Sequence, residues 1–258
     1  MRPALIASLV VLSSTLPAHQ AIANHHEAKE QGPIEAAVAA PTRTPANKTR
    51  DQYRHPAETL AFFGVKPTDT VVEYVPGGGW YTEILVPLLA EKGSYIGTQG
   101  KVDKLQAMFS GDHVKFVPWP VGDAIPAESV DTVLTFRNIH NLVMDDAAPA
   151  AFASFFAMLK PGGTLGIVDH RLPEDRDSAM EKKSGYLKVS TVRKLAEDAG
   201  FVLEAQSEVN ANPKDSADWE KGVWTLPPTL RNGETDRDKY TAIGESDRMT
   251  LRFRKPAS

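Results

Sequence analysis

The stretch that decides the fold is Thr70–Glu83, which reads TVVEYVPGGGWYTE. The run Thr70–Val75 is mostly β-branched or aromatic, which predicts a buried strand. The glycines Gly77–Gly79 end this strand, and apolar residues then recur at helical spacing over 84–89. Glycines between a strand and a helix let the backbone approach a ligand beside the free N–H groups of the helix start. The stretch therefore predicts a ligand loop of an α/β protein.

Strand and helix patterns alternate along the rest of the chain, until a long insert separates the last two strand patterns. The predicted strands are Thr70–Val75, Ser94–Thr98, Val114–Val117, Asp131–Phe136, Thr164–Asp169, Phe201–Leu203 and Met249–Phe253. This alternation predicts an α/β fold with a doubly wound, mostly parallel, seven-stranded sheet. Because the final insert shows no clear crossover helix, we expect the last strand to pair antiparallel.

The N-terminal region differs in composition from the rest of the chain. Arg2, the apolar run Ala4–Leu12 and the small-residue site Ala21–Ala23 follow the order of a secretory signal peptide. We therefore predict a signal peptide over 1–23, with an uncleaved anchor as the alternative, and a periplasmic or secreted protein. Residues 24–48 lack periodicity and are rich in Ala, Pro and Thr, which predicts a flexible leader. The folded domain is then expected over 49–258.

Composition excludes several classes of function. The formal net charge of -4 provides no basic surface for nucleic acid. Beyond the N-terminus no apolar run reaches the roughly 18 residues of a membrane span, so none is predicted in the mature chain. The sequence contains no cysteine, so the domain has neither disulfides nor a lipid-attachment site. Composition gives no indication of the oligomeric state.

Polar side chains follow the fourth predicted strand at the point where it ends. They are Arg137, Asn138, His140 and Asn141. An open parallel sheet places its ligand crevice at this edge, beside the glycine loop. Histidine side chains titrate near neutral pH, so His140 is the candidate general base, with a hydrogen-bonded loop histidine as the structural alternative. Arg137 offers a rigid guanidinium fork for an anionic group.

Two other regions contribute candidate site residues. His170 follows the fifth strand and is predicted to line the same crevice, with a salt-bridged loop as the alternative. Tyr53 lies on a helix before the first predicted strand, where it is expected to act in a lid or in packing. His55, His140 and His170 show no paired ligand spacing, so no metal site is predicted.

A dinucleotide-binding dehydrogenase is the main alternative for an α/β protein with such a loop. Its fingerprint requires a third glycine three residues after the second, and Thr82 stands there. The fingerprint also requires an acid after the second strand for the ribose, and this chain has Gln99 instead. Both differences argue against a nicotinamide cofactor.

From about residue 70 to 253, the order of parts resembles the class I S-adenosylmethionine-dependent methyltransferases. The resemblance is carried by Glu73 before the glycine loop Gly77–Gly79, by Asp123 after the third strand, and by the turn Leu159–Leu165 before the fifth strand. The strings Tyr53–Pro56, Pro76–Glu83, Arg137–Asn141 and Ile243–Met249 are similar to an exported predicted-methyltransferase family. The resemblance implies that the domain over 49–258 is methyltransferase-like.

The resemblance also implies S-adenosylmethionine as the cofactor and a small molecule as the methyl acceptor. The cofactor-binding residues that it implies are Glu73, Gly77, Gly78, Gly79, Gln99 and Asp123. Expected catalytic residues are His140 and Arg137, and expected substrate-binding residues are Asn138, Asn141, His170 and Tyr53. Gln99 departs from the family because it stands where a ribose-binding acid is usual, and its amide hydrogen-bonds hydroxyls without a charge.

A second function belongs to another class: an exported ligand-binding protein that kept the fold and lost the reaction. Export motivates this alternative, because S-adenosylmethionine is made inside cells. Fold alone does not establish chemistry.

Overall fold

A computed structural model describes residues 32–99 and 102–257. Its strands are β1 Thr70–Tyr74, β2 Ser94–Gln99, β3 Val114–Pro118, β4 Val130–Phe136, β5 Leu159–His170, β6 Val202–Ser207 and β7 Arg248–Arg254. Its helices are α1 Pro33–Ala39, α2 Pro45–Lys48, α3 Asp51–Arg54, α4 Pro56–Phe63, α5 Thr82–Leu89, α6 Asp103–Met108, α7 Ile139–Met144, α8 Ala148–Met158, α9 Val189–Asp198 and α10 Arg237–Ile243. The predicted signal peptide lies outside the described residues and stays a prediction.

The strands form one seven-stranded sheet in the order β3-β2-β1-β4-β5-β7-β6. Strands β1 to β5 are parallel, and β7 lies antiparallel between β5 and β6. This arrangement confirms the predicted fold class and its antiparallel last strand. The chain leaves β1 toward β2 on one side and enters β4 on the other, so a crevice opens between the carboxyl ends of β1 and β4.

Apolar side chains cover both faces of the sheet. On one face Phe152 and Phe155 of α8 are completely buried together with residues of α9. On the other face Leu60 of α4 and Leu85 of α5 are equally inaccessible. Burying a side chain of this size contributes about 1.5–3 kcal/mol relative to leaving it exposed. Because helices cover both faces of the sheet, a ligand can reach the strands only at the edge of the sheet.

The predicted flexible leader is wrong for its described part, because residues 33–48 contain α1 and α2. Ile34 and Ala37 of α1 are buried in the core cluster that contains α4 and α5. Arg43 is fully buried, and its guanidinium donates to both carboxylate oxygens of Asp51 at 2.7 and 2.8 Å. Helices α1 and α2 have only seven and four residues, so the apolar face of α1 is too short for periodicity to detect. Residues 24–31 lie outside the described residues.

Among the described residues, no helix has the length and apolarity that crossing a membrane requires.

Candidate functional site

A cavity of about 390 Å³ lies at the carboxyl ends of β1, β4 and β5. This volume is within the range of sites for small molecules. Helices α2 and α3 with the turn between them form one wall, and the insert before β7 forms another. The lining residues are Asn47, Arg50, Arg54, Glu73, Val75, Pro76, Gly77, Gly78, Trp80, Tyr81, Phe136, Arg137, Asn138, His140, Asn141, His170, Val223, Trp224, Pro227, Pro228, Thr229, Glu245 and Ser246.

The glycine loop forms an open cradle at the edge of this cavity. Gly77 and Gly79 have left-handed backbones, with φ of 61° and 88°, which favour glycine. A Cβ atom built on Gly78 meets no atom within 4 Å, so the space above this residue is free. Gly79 is buried instead, and a Cβ there would lie 2.9 Å from the ring of Phe109. Gln99 accepts a hydrogen bond from the Gly77 N–H at 3.1 Å and so tethers the loop to β2.

Aromatic residues lock the helical side of the loop in place. The ring of Tyr81 stacks on Phe136 at the end of β4, with centroids 3.5 Å apart. Trp80 Nε1 donates to the carbonyl of Asn47 at 3.0 Å, and the guanidinium of Arg54 lies 4.6 Å from the Trp80 ring centroid. The loop is thereby joined both to β4 and to the N-terminal helices that wall the cavity.

Glu73 is a buried carboxyl group beneath the loop. Its Oε2 accepts hydrogen bonds from Thr82 Oγ1 at 2.9 Å and from Tyr95 Oη at 2.7 Å. Burial raises the pKa of Glu73 to about 7, although these two hydrogen bonds lower it in part. Glu73 therefore links β1, β2 and the start of α5 through side-chain hydrogen bonds.

His140 and Asp169 form a buried pair at the ends of β4 and β5. His140 Nδ1 lies 2.8 Å from Asp169 Oδ1. The same carboxylate accepts from the backbone N–H groups of Ile139, His140 and His170 at 2.7, 3.2 and 2.8 Å. With donors on all sides, Asp169 acts as an acceptor and places the imidazole proton on Nδ1. Nε2 of His140 then keeps its lone pair in the cavity lining and makes no hydrogen bond within the described ranges.

His170 lies beside this pair, with its ring centroid 5.0 Å from that of His140. Burial first, and then the charges of His140 and nearby arginines, lower the pKa of His170 well below its ordinary value. His140, Asp169 and His170 offer ligand atoms within 4.8 Å of one another, which a metal ion could use. The Asp169 oxygens are already occupied by N–H donors, however, and Arg54, Arg137 and Arg248 oppose a cation. The pair is therefore better described as a hydrogen-bonded dyad.

Arginines surround a single glutamate on the opposite wall of the cavity. Glu245 Oε1 accepts from Arg50 Nε at 2.6 Å, and its Oε2 accepts from Arg54 Nε at 3.2 Å and from Arg248 at 2.9 Å. Burial would raise the pKa of Glu245, but the charges of Arg248, Arg54 and Arg50 outweigh it and hold that pKa at about 2. Arg137 completes the group from the β4 side.

No model of a known protein family matches the sequence, and no curated protein matches it either. Solved structures do match. An S-adenosylmethionine-dependent methyltransferase from Aquifex aeolicus is 18% identical with a TM-score of 0.54, over 80% of this chain and 93% of that one. A predicted sarcosine dimethylglycine methyltransferase from Galdieria sulphuraria is 16% identical with a TM-score of 0.55, over 82% of this chain and 85% of that one. The chain has the class I S-adenosylmethionine-dependent methyltransferase fold.

The same methyltransferase fold also carries other chemistry. The [4+2]-cyclase SpnF matches with a TM-score of 0.53 and 14% identity, over 83% of this chain and 82% of that one. Function must therefore be argued from the site and not from the fold.

The structure brings most of the predicted site residues of this methyltransferase fold into one cavity. Those that line it are Glu73, Gly77, Gly78, Arg137, Asn138, His140, Asn141 and His170. Asn138 also joins the ends of two strands, because its Nδ2 donates to the carbonyls of Val75 and Phe136 at 3.2 and 3.0 Å.

Four predicted residues do not line the cavity. Gly79 is buried and Gln99 holds the loop, as described above. Tyr53 packs against Gly244, where a built Cβ would lie 2.8 Å from its ring, so the structure favours the packing alternative. Asp123 lies in a 3₁₀ turn beside a second, separate cavity, next to residues of α8. The cofactor roles of Gln99 and Asp123 stay predictions.

Sequence reasoning missed the contacts that complete the site. Asp169 ends the fifth predicted strand and could be placed at the pocket by position, but no pattern shows that it bonds to His140, which is 29 residues earlier. Arg50, Arg54 and Glu245 come from segments nearly 200 residues apart. The strings Tyr53–Pro56 and Ile243–Met249 did contain two of these three residues and were the available signal.

Proposed function

We propose that the protein is an S-adenosylmethionine-dependent methyltransferase that acts on a small-molecule acceptor. The observation that carries this proposal is the His140–Asp169 dyad, which opens on a cavity beside the glycine cradle. A protein that only binds a ligand does not require a buried carboxylate that fixes the tautomer of a histidine. No observation in the described ranges favours the non-catalytic alternative.

The residues of the cradle fit the cofactor. The space above Gly78 is open, and its N–H donates to no atom of the described residues. Glycines in this position let a ligand approach the backbone, and the start of α5 follows directly. Gly77, Gly78 and Glu73 would hold the cofactor next to the cavity. When bound, S-adenosylmethionine supplies a methyl group on a positively charged sulfur.

The chain's own residues orient the acceptor and accept its proton. A hydroxyl or amine nucleophile of the acceptor placed against His140 would face the methyl group that the bound cofactor supplies. The proton of the nucleophile passes to Nε2 of His140, and the resulting imidazolium is stabilised by Asp169. Asn141 and Arg137 lie on the same turn and position the rest of the acceptor. Alignment of this kind can remove about 7–11 kcal/mol from the barrier of a reaction between two bound groups.

We also propose that the protein is exported. Support comes from the order of Arg2, the apolar run and Ala21–Ala23.

The test is methyl transfer by the full chain from S-adenosylmethionine to a panel of small hydroxyl and amine acceptors, with S-adenosylhomocysteine formation as the readout. We expect His140→Ala to lower turnover by about 10²–10⁴-fold, the usual range for a general base, without changing S-adenosylhomocysteine affinity. His113→Ala is the matched control, because His113 precedes β3 at the opposite edge of the sheet and contacts the carbonyl of Val86.

Two results would contradict the proposal. Undiminished turnover in His140→Ala removes this residue from the mechanism. Tight S-adenosylhomocysteine binding without turnover on any acceptor supports the binding-protein alternative instead.

A further inference from the structure

The cavity holds more positive charge than its own carboxylates balance. Arg50, Arg54 and Arg137 line it, and the only carboxylate that pairs with any of these arginines within the described ranges is Glu245, which also pairs with Arg248. Glu73 also lines the cavity, but its pKa is raised to about 7 by burial, so it supplies only part of a charge near neutral pH. Unbalanced buried charge is costly, and proteins keep it mainly where a ligand completes it.

Several N–H groups of these arginines have no acceptor. The Arg54 side chain is 2% exposed, and its Nη2 is buried without a hydrogen-bond partner. Nη2 of Arg50 is likewise buried and unpartnered. Arg137 lines the cavity, and its guanidinium makes no hydrogen bond or ion pair within residues 32–99 and 102–257. Buried donors of this kind are rare and require an explanation.

The charges of the arginines also act on one another. Burial and then the charge of Arg137 lower the pKa of Arg54 to about 8, although Glu245 raises it in part. Burial and then the charge of Arg248 lower the pKa of Arg137 to about 10. An anion placed among these groups would relieve both effects.

We propose that Arg50, Arg54 and Arg137 form an oxyanion site that holds a carboxylate or phosphate group of the methyl acceptor. This inference rests on the proposed function, since it names the substrate class of the same cavity. A guanidinium presents paired N–H donors that match the oxygens of either anion. Arg137 and His140 are three residues apart in the chain. An acceptor whose anionic group is held by Arg137 therefore presents its other end to Nε2 of His140. The aromatic ring of Trp224 is 6.3 Å from that of His140 and offers a flat wall for the body of the acceptor.

S-adenosylmethionine itself carries a carboxylate, which is the competing explanation for this site. The two explanations differ in one measurable respect. If the arginines serve the acceptor, a small oxyanion and S-adenosylhomocysteine bind together. If the arginines serve the cofactor, the two ligands exclude each other.

The test is calorimetric titration of the full chain with benzoate, phenyl phosphate and the neutral isostere benzamide, each with and without saturating S-adenosylhomocysteine. We expect at least one of the two anions to bind roughly 10- to 100-fold more tightly than benzamide, as charge-assisted hydrogen bonds predict. The preferred anion then identifies the acceptor group as carboxylate or phosphate. This preference should persist when S-adenosylhomocysteine is bound.

The variants are Arg137→Asn and Arg137→Lys, with Arg193→Gln as the control. Asparagine tolerates the left-handed backbone at this position, and Arg137 makes no side-chain hydrogen bond that folding would lose. We expect Arg137→Asn to abolish the preference for the anion, Arg137→Lys to retain part of it, and Arg193→Gln on the exposed face of α9 to retain all of it.

Equal binding of benzoate, phenyl phosphate and benzamide would overturn the inference. So would an unchanged preference in Arg137→Asn, or exclusion of the anion by S-adenosylhomocysteine. Failure of S-adenosylhomocysteine to bind at all, with the anion preference intact, would instead refute the methyltransferase proposal and leave an anion-binding protein.

Discussion

Glu73 offers a quantitative test of the site that does not depend on any substrate. Its carboxyl group is 2% exposed, and its two hydrogen-bond donors are hydroxyl groups without charge. Burial raises its pKa from 4.5 to about 7. Because the folded-state pKa lies above the unfolded value, the folded protein holds this proton more tightly than the unfolded chain does. The stabilisation from the protonated group is complete below pH 4.5 and is lost as the pH rises through 7.

Glu73→Gln replaces the carboxyl group by an uncharged amide whose oxygen can still accept from Thr82 and Tyr95. A shift of one pKa unit corresponds to about 1.4 kcal/mol. The variant should therefore be more stable than the wild type by about 3 kcal/mol at pH 8, and by less than about 1 kcal/mol at pH 5. For a chain of this size the gain at pH 8 corresponds to a rise in Tm of roughly 6–12 °C.

The assay is urea unfolding of the two proteins at pH 5, 6, 7 and 8, with the difference in unfolding free energy plotted against pH. Glu91→Gln removes the same charge from an exposed position and serves as the control. A difference that does not grow between pH 5 and pH 8 would refute the reasoning, because it would mean that Glu73 ionises in the folded protein at no cost.

Three further predictions concern the cradle, the dyad and the N-terminus. Gly78→Val should leave Tm unchanged, since a Cβ there meets open space. The variant should weaken S-adenosylhomocysteine binding by about 1–3 kcal/mol through steric overlap. Unchanged affinity by calorimetry would remove the loop from the cofactor site. Asp169→Asn should lower turnover by roughly 10²–10⁴-fold through loss of the Nδ1 tautomer of His140, while cofactor affinity is retained; equal turnover would show that the dyad is only structural. Intact-mass measurement of the exported protein should show a chain that begins at Asn24, and retention of residues 1–23 would argue for the uncleaved anchor.

The sheet could be predicted from sequence because its signals are local. Each strand is a short run of apolar and β-branched residues, and the polar cluster after β4 marks the edge of the crevice by position alone. His140 and Arg137 could be named for that reason, and Gly78 could be named from the glycine loop that ends the first strand. All three line the cavity.

The rest of the site could not be predicted because it depends on pairing between distant segments. Glu245 precedes β7, and it meets Arg50 and Arg54 only when β7 is inserted between β5 and β6. The helices that carry these arginines are too short for a periodic signal: α2 and α3 have four residues each. They are ordered by individual contacts such as that between Arg43 and Asp51. Sequence patterns report burial of faces and not single polar pairs.

Backbone strain at the cavity supports its assignment as the functional site on separate grounds. His55, Val75 and Arg137 are not glycines, yet their φ angles are 39°, 52° and 63°. Each such residue costs about 1–3 kcal/mol, and a β-branched residue such as Val75 is especially unfavourable. The surrounding structure enforces the strain, since the N–H groups of Val75 and Arg137 donate to the carbonyls of neighbouring strands at 2.7 Å each. Val75 and Arg137 line the cavity, and His55 directly follows Arg54, which also lines it. If these residues served only the fold, glycine in their place would remove the strain at small cost. Of the eight non-glycine residues with positive φ in the described ranges, Val75 and Arg137 line the cavity, and there the strain is best explained by the ligand that these two residues position.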